Sequence, residues 1–379
     1  MDEQGNLFSL TTQSGRNTLN GFDPARLTQA RFAMGLTKTK LAEHVGVSSA
    51  AIGQYESHII TPKPEQLLAL ARVLKVPVDY FAPGRPIGRV DGTQAHFRSL
   101  RSTTARERSK ALAYIEQVWE LTFALEKKVK FPDVNLPRGN YDSPEQAAQL
   151  LRRFWNLGTK PVRHLTAVIE SHGIVVNLVA KDNEAVTRVD AFSASQLERP
   201  VIISTSKSAN SVFRHRFTLA HELGHLLLHN EAVSGDKQQE READQFAAEF
   251  LTPRAQMINL LPRLVDFSRL YELSKSWGVS VDSLLFRMKE IGFVSHAAVQ
   301  RGYKKLNKLR SSGLESEEPV SAYPGEMPSM LIKAATLADE QIGYTQVDLA
   351  KDLKWHPARL REILGVEDPR PTLRLIQGG

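Results

Sequence analysis

A chain of 379 residues has room for two or three domains that each bury a core. It contains no cysteine and no apolar run of about eighteen residues, which excludes a disulfide framework, a thiolate metal site and a helical membrane span. The formal charge of +7 favours an anionic partner, and Met1-Asp2-Glu3-Gln4-Gly5-Asn6 lacks a signal-peptide pattern, so a cytoplasmic protein with no membrane partner is expected.

Residues 22–82 read as a compact helical module. Thr37 opens a helix as its N-cap, with Leu41, Ala42 and Val45 on the inner face. Gly46 permits a sharp turn, and Ser48 caps a second helix, 49–56, that buries Ile52 and Tyr55. A further helix, 64–74, turns Leu67, Leu68, Leu70, Ala71 and Leu74 inward. The stretch Lys38-Thr39-Lys40-Leu41-Ala42-Glu43-His44-Val45-Gly46-Val47-Ser48, with 64–81 behind it, resembles the Xre/Cro-type helix-turn-helix. That resemblance implies binding to double-stranded DNA with the second helix in the major groove. Ser49, Ala50, Gly53 and Gln54 would then lie near base edges, where Gln54 can pair with adenine. Family members often carry Gln at the place of Lys38 and basic residues at those of Ser49 and Gln54. Lys38, Lys40, Arg31 and Lys63 are the cations left for phosphates. Such domains also serve in dimerisation, so a homodimer is among the expected partners.

From Arg85 to Lys110 the chain is one-sided: Arg85, Arg89, Arg98, Arg101, Arg106, Arg108 and Lys110 meet only Asp91 and Glu107. Residues 82–92 are rich in Pro and Gly and read as a flexible linker. Its arginines have two readings, contact with the DNA backbone or plain solvation. Residues 104–130 form an expected amphipathic helix with Leu112, Ile115, Val118, Trp119, Phe123 and Leu125 on its packing face. After a loop at 132–144, two helices are expected within 145–172, then strands at 174–180, 187–193 and 200–205. Residues 189–193 are read as an edge able to hold a peptide by strand addition, with an ordinary antiparallel sheet as the alternative.

His221-Glu222-Leu223-Gly224-His225 carries the chemistry. A helix advances about 100° per residue, so His221 and His225 share a face one turn apart and can grip one Zn²⁺. Glu222 lies beside the metal as the general base that activates a water for peptide hydrolysis. Catalytic zinc takes three protein ligands, and the helix through Glu240, Ala243, Asp244, Phe246 and Phe250 supplies the third. Glu240 is assigned to the metal, and Asp244, four residues on, to the free N–H of a ligating histidine, most naturally His221. Small Ala243 would let the helices approach closely. Glu242 is the rival ligand, Glu249 a weaker one, and His229 is read as a structural histidine at the helix end. Mn²⁺ or Fe²⁺ would suit two His and a Glu nearly as well.

Arg216-Phe217-Thr218-Leu219-Ala220-His221-Glu222-Leu223-Gly224-His225, followed by Glu240-Arg241-Glu242-Ala243-Asp244 and Phe246-Ala247-Ala248-Glu249-Phe250-Leu251-Thr252-Pro253, resembles the ImmA/IrrE metallopeptidases. The likeness covers roughly 160–260, with Thr252 where the family often has Met. It implies a thermolysin-like site and a protein substrate that is a transcriptional repressor or an antitoxin-like regulator.

After Pro253, short helices are expected at 267–277, 280–291 and 296–309, then a Ser-, Glu-, Gly- and Pro-rich linker. The tail through Thr345-Gln346-Val347-Asp348-Leu349-Ala350 reads as a partner-docking helical hairpin in preference to a second helix-turn-helix, and no internal repeat emerges. The expected fold class is therefore multi-domain. An all-α helix-turn-helix domain (22–82) and a basic linker (83–103) precede an α+β zincin-like metallopeptidase domain with a small antiparallel sheet (104–262). A helical subdomain (263–310), a linker (311–328) and a C-terminal helical tail (329–379) complete it. The expected function is a zinc-dependent endopeptidase with a DNA-binding regulatory domain. The alternative is a DNA-binding transcriptional regulator whose metal site is structural or sensory; Glu222 argues against it, because a structural site needs no base. Self-cleavage in 82–92 is a variant of the first reading.

Overall fold

The structure is a computed structural model that describes residues 21–88, 96–97, 104–179, 191–194, 198–205, 209–229, 236–313 and 318–367. Its elements run α1 (Pro24–Ala33), α2 (Lys38–Val45), α3 (Ser49–Glu56), α4 (Pro64–Leu74), β1 (His96–Phe97), α5 (Ala105–Glu126), α6 (Pro144–Phe154) and α7 (Leu165–Ser171). Then come β2 (Val175–Leu178), β3 (Ala191–Ala194), β4 (Val201–Ser204), α8 (Val212–Leu228), α9 (Lys237–Leu251), α10 (Arg254–Leu260), α11 (Phe267–Trp277), α12 (Val281–Ile291) and α13 (His296–Ser311). The last are α14 (Met330–Ile342), α15 (Gln346–Asp352) and α16 (Pro357–Leu364). The described residues form two compact units. Of the described residues, one unit takes those at 21–87, 120–129 and 331–367, and the other those at 88–119 and 130–330. Among the described residues no helix is long and apolar enough to cross a membrane.

In the first unit the caps act as their residue types dictate. The Thr37 hydroxyl accepts the Lys40 amide and the Ser48 hydroxyl the Ala51 amide, both at 3.1 Å, satisfying amides that open α2 and α3. Gly46 takes φ 76° between them, a left-handed turn that glycine makes without strain. Leu27, Leu41, Ile52, Leu67, Leu70 and Phe81 are fully buried. A polar cluster is buried with them: the Arg26 guanidinium donates to Glu120 at 2.7 Å and Arg85 donates to the other oxygen of the same carboxylate at 2.8 Å. Arg85 also donates to the carbonyls of Tyr80 and Leu353. This corrects one reading of the basic linker, since Arg85 is spent inside the unit. Arg89, Arg98 and Arg101 lie outside the residues whose side chains are described.

The second unit holds a four-stranded sheet in the order β1-β3-β4-β2. β3 pairs antiparallel with β1 and β4, but β2 runs parallel to β4. The small sheet is therefore mixed, not antiparallel as expected: β3 and β4 are joined by a short connection, while β2 is far enough upstream for the crossover a parallel pair needs. The expected edge at 189–193 is also corrected. Residues 189–190 lie outside the described residues, and Ala191–Ser193 belong to β3, which is flanked on both sides; among the described residues the edges are β1 and β2. β1 itself falls within the stretch read as linker. α10 lies ahead of the three short helices expected after Pro253. Part of the linker at 311–328 is pinned: the buried Glu326 carboxylate accepts the Leu165 and Thr166 amides that open α7, at 2.9 and 3.1 Å, and pairs with Arg216.

α8 packs on β3, β4 and α9, and the apolar core runs through Leu151, Ile169, Val176, Ile202, Leu219, Leu223, Phe246 and Leu284. His215 on α8 is fully buried, with Ser204 and Thr166 hydroxyls at 3.1 and 3.3 Å. Burial pushes its pKa down to about 4, against the opposing pull of Glu326. Between the unfolded value near 6.5 and about 4, the unfolded chain binds the extra proton, so stability falls as pH falls through that window. The loss is expected to total on the order of 3 kcal/mol. Denaturant midpoints measured from pH 8 to pH 4 should show this fall in the wild type and a shallower one in His215→Gln; equal slopes would remove His215 as the cause.

Candidate metal centre

α8 begins under the Ser211 cap, and its apolar positions face the sheet and α9, so His221, Glu222 and His225 are all buried. α9 begins under Asp236, which accepts the Gln238 amide, and carries Glu240 in its first turn. The two helices approach closely at Gly224, where a Cβ would stand 2.9 Å from the Phe246 ring. Ala243 is buried too, but Gly224 is the position where the approach leaves no room for a side chain.

The approach brings three donors together. His221 Nε2 and His225 Nε2 are 3.0 Å apart, and the Glu240 oxygens lie 3.6 and 3.4 Å from them. The far sides of both rings are occupied. His221 Nδ1 meets Asp244 at 2.8 Å, which makes it the N–H donor to that carboxylate. His225 Nδ1 meets His229 Nδ1 at 3.0 Å, and His229 Nε2 meets Glu242 at 2.9 Å. The consistent proton assignment has His225 Nδ1–H donating to His229 and His229 Nε2–H donating to Glu242. Both Nε2 atoms of the ligand pair then carry lone pairs that face each other and a carboxylate. Such a donor set fits a cation, and two His with one Glu is a zinc set.

Glu242 is therefore turned toward His229, away from the converging donors. Glu249 is buried elsewhere, accepting from Gln149 and from the Arg254 amide at 3.0 Å each. His229, read from the sequence as structural, belongs to a chain that orients His225 as Asp244 orients His221. Zinc affinity is expected to fall about 10- to 100-fold in Asp244→Ala and in His229→Ala alike, measured by competition with a chelator. Wild-type affinity in His229→Ala would return that residue to a purely structural role.

Glu222 is fully buried, and Ser193 on β3 donates its hydroxyl proton to Glu222 Oε2 at 2.8 Å. Ser193 was missed as a site residue; its only signal was a place at the end of an expected strand.

The other site residues lie in the first unit. On α3, Ala50 is exposed and Ser49, Gly53 and Gln54 are half-buried. The Lys38 ammonium stands 3.4 Å from Glu56 and Lys40 pairs with Glu43 at 2.8 Å. Arg31 is buried in a two-pronged pair with Glu56 at 2.5 and 2.9 Å, so it is withdrawn from the cations read as phosphate contacts.

These features define a two-part protein, with a DNA-binding type of helical domain and a metallopeptidase-like domain. Residues 27–81 match the family described as Helix-turn-helix, and residues 169–289 match the peptidase M78 family, described as the IrrE N-terminal-like domain. The chain is also 42% identical over 55 residues to the uncharacterized HTH-type transcriptional regulator YobD of Bacillus subtilis strain 168. That match covers 14% of this chain and 49% of the relative, about half its length.

Proposed function

We propose that this protein is a zinc-dependent endopeptidase with a DNA-binding regulatory domain, acting in the cytoplasm on a specific transcriptional repressor or antitoxin-like partner. The observation that carries the reading is the convergence of His221, His225 and Glu240 beside the buried Glu222. In this reading the three converging residues hold the metal and Asp244 fixes the His221 ring. Bound zinc would supply Lewis acidity to a peptide carbonyl and lower the pKa of water. Glu222 takes a proton from the attacking water and passes it to the leaving amine, while Ser193 holds the carboxylate in place. On the DNA side, Lys38, Ser49, Ala50, Gly53 and Gln54 are the contacts proposed for the helix-turn-helix domain. That domain would concentrate the peptidase near a DNA-bound substrate.

The likeness to a transcriptional regulator favours a second reading, a regulator whose metal site is structural or sensory. Elemental mass spectrometry on wild type, His225→Ala and Glu240→Gln tests the site. About one equivalent of zinc, lost in both variants, is expected from a three-ligand centre. Protein that cannot be loaded with zinc would remove the peptidase reading and leave the regulator.

A further inference from the structure

We infer that α14–α16 form a second helix-turn-helix whose α16 face binds double-stranded DNA. The tail repeats the N-terminal module residue by residue at a constant offset. Gly35 and Gly343 follow the first helix of each copy at φ 61° and 64°. Thr37 and Thr345 cap the second helix, accepting the amides of Lys40 and Asp348 at 3.1 and 3.2 Å. Leu41 with Ala42, and Leu349 with Ala350, are the buried pairs. Gly46 and Lys354 both turn the chain in the left-handed region, at φ 76° and 55°. The next amide then reaches back in each copy, Val47 to the Ala42 carbonyl at 3.1 Å and Trp355 to the Ala350 carbonyl at 2.9 Å. In the third helix Ile52 and Leu360 are buried, and each amide bonds the cap carbonyl, of Ser48 or His356, at 3.3 Å. Lys for Gly at the turn and His-Pro for Ser-Ser at the cap hide the repeat from a reading by residue type, although Pro at the first helical position is favourable.

Turn geometry alone does not make a DNA site. The same turn joins α11 to α12, where the Ser274 carbonyl accepts the Gly278 and Val279 amides, but α12 buries Val281, Leu284, Leu285, Arg287 and Met288. α16 differs: His356, Pro357 and Ala358 are exposed and Arg359 and Arg361 half-exposed, much as Ser48 and Ala50 are exposed and Ser49, Ala51 and Gly53 half-exposed in the first copy. Charge points to the occupant. Residues 353–361 carry Lys354, Arg359 and Arg361 and no acid, whereas the matching residues 45–53 carry no charged side chain; the counterpart of Gln54 is the acid Glu362. Arg359 is engaged with Glu362 at 2.7 Å, within the same helix. Phosphate attraction dominates affinity for DNA, so the tail supplies the cations that the N-terminal turn lacks. Arg361 stands where Gly53 stands in α3, on the face that reads base edges, and arginine is the commonest partner of guanine.

The test uses the full chain and a fluorescent mixed-sequence duplex of about 30 base pairs, titrated across salt concentrations near 0.05–0.2 M. Lys354→Gly removes a cation at a left-handed position that glycine adopts readily, as Gly46 does in the first copy, so the fold should hold. The salt slope is expected to fall by about one for Lys354→Gly, and adding Arg361→Gln is expected to bring affinity down at least about tenfold in the double variant at unchanged melting temperature. An unchanged slope and affinity in the double variant would overturn the second site, whatever the N-terminal module or the peptidase centre does.

Discussion

Glu222→Gln is expected to bind zinc as the wild type does and to cleave its protein partner about 10²- to 10⁴-fold more slowly. Glutamine keeps the shape of the side chain and an oxygen to accept the Ser193 hydroxyl, which lies 2.8 Å from the carboxylate now. It cannot take a proton from water. Because the converging donors are His221, His225 and Glu240, changing Glu222 leaves the metal's ligands intact. The pairing of the two readouts separates the proposals. Full zinc with lost cleavage marks a base, and the inert variant should then hold its substrate long enough for isolation. Full zinc with undiminished cleavage would assign the hydrolysis to other residues, and loss of zinc would make Glu222 a ligand or a structural support.

The spacing of His221 and His225 was legible because a helix makes residues four apart neighbours, and the caps Thr37 and Ser48 were legible because a hydroxyl before an apolar-periodic run has few other uses. The choice of Glu240 over Glu242 was less so. Two residues apart on a helix means nearly opposite directions, so the choice turns on how α9 is rolled against α8, which pack closely where Gly224 meets Phe246. Glu242 does have a partner, His229, but nothing in the sequence links a carboxylate thirteen residues away to that ring. β1 was illegible because two residues in a basic stretch read as linker carry no period. The left-handed turn in the tail was hidden for a conformational reason: a lysine at Lys354 conceals what glycine at Gly46 announces.

Arg85 was misread for a different reason, since charge runs suggest solvent, and its true partner sits on α5. That partner gives the largest expected stability effect. Glu120→Ala should cost about 3–5 kcal/mol, because it leaves the guanidinium of Arg26 and that of Arg85 buried without a counter-charge. The cluster is not held together by a large net electrostatic gain. Burial pushes the Glu120 carboxyl up, and Arg26 and Arg85 together pull it down by less. Replacing the whole cluster by apolar side chains, as Arg26→Met, Arg85→Met and Glu120→Leu in one chain, is therefore expected to recover most of what Glu120→Ala loses. Denaturant midpoints of the three proteins check this, alongside DNA affinity and zinc content. DNA affinity should follow stability, because Arg26 lies on α1 and Arg85 donates to the carbonyl that ends α15. Zinc should stay bound in all three, since its donors belong to the other unit. A Glu120→Ala protein as stable as wild type would mean that water reaches the two arginines and that the cluster sets geometry without carrying stability.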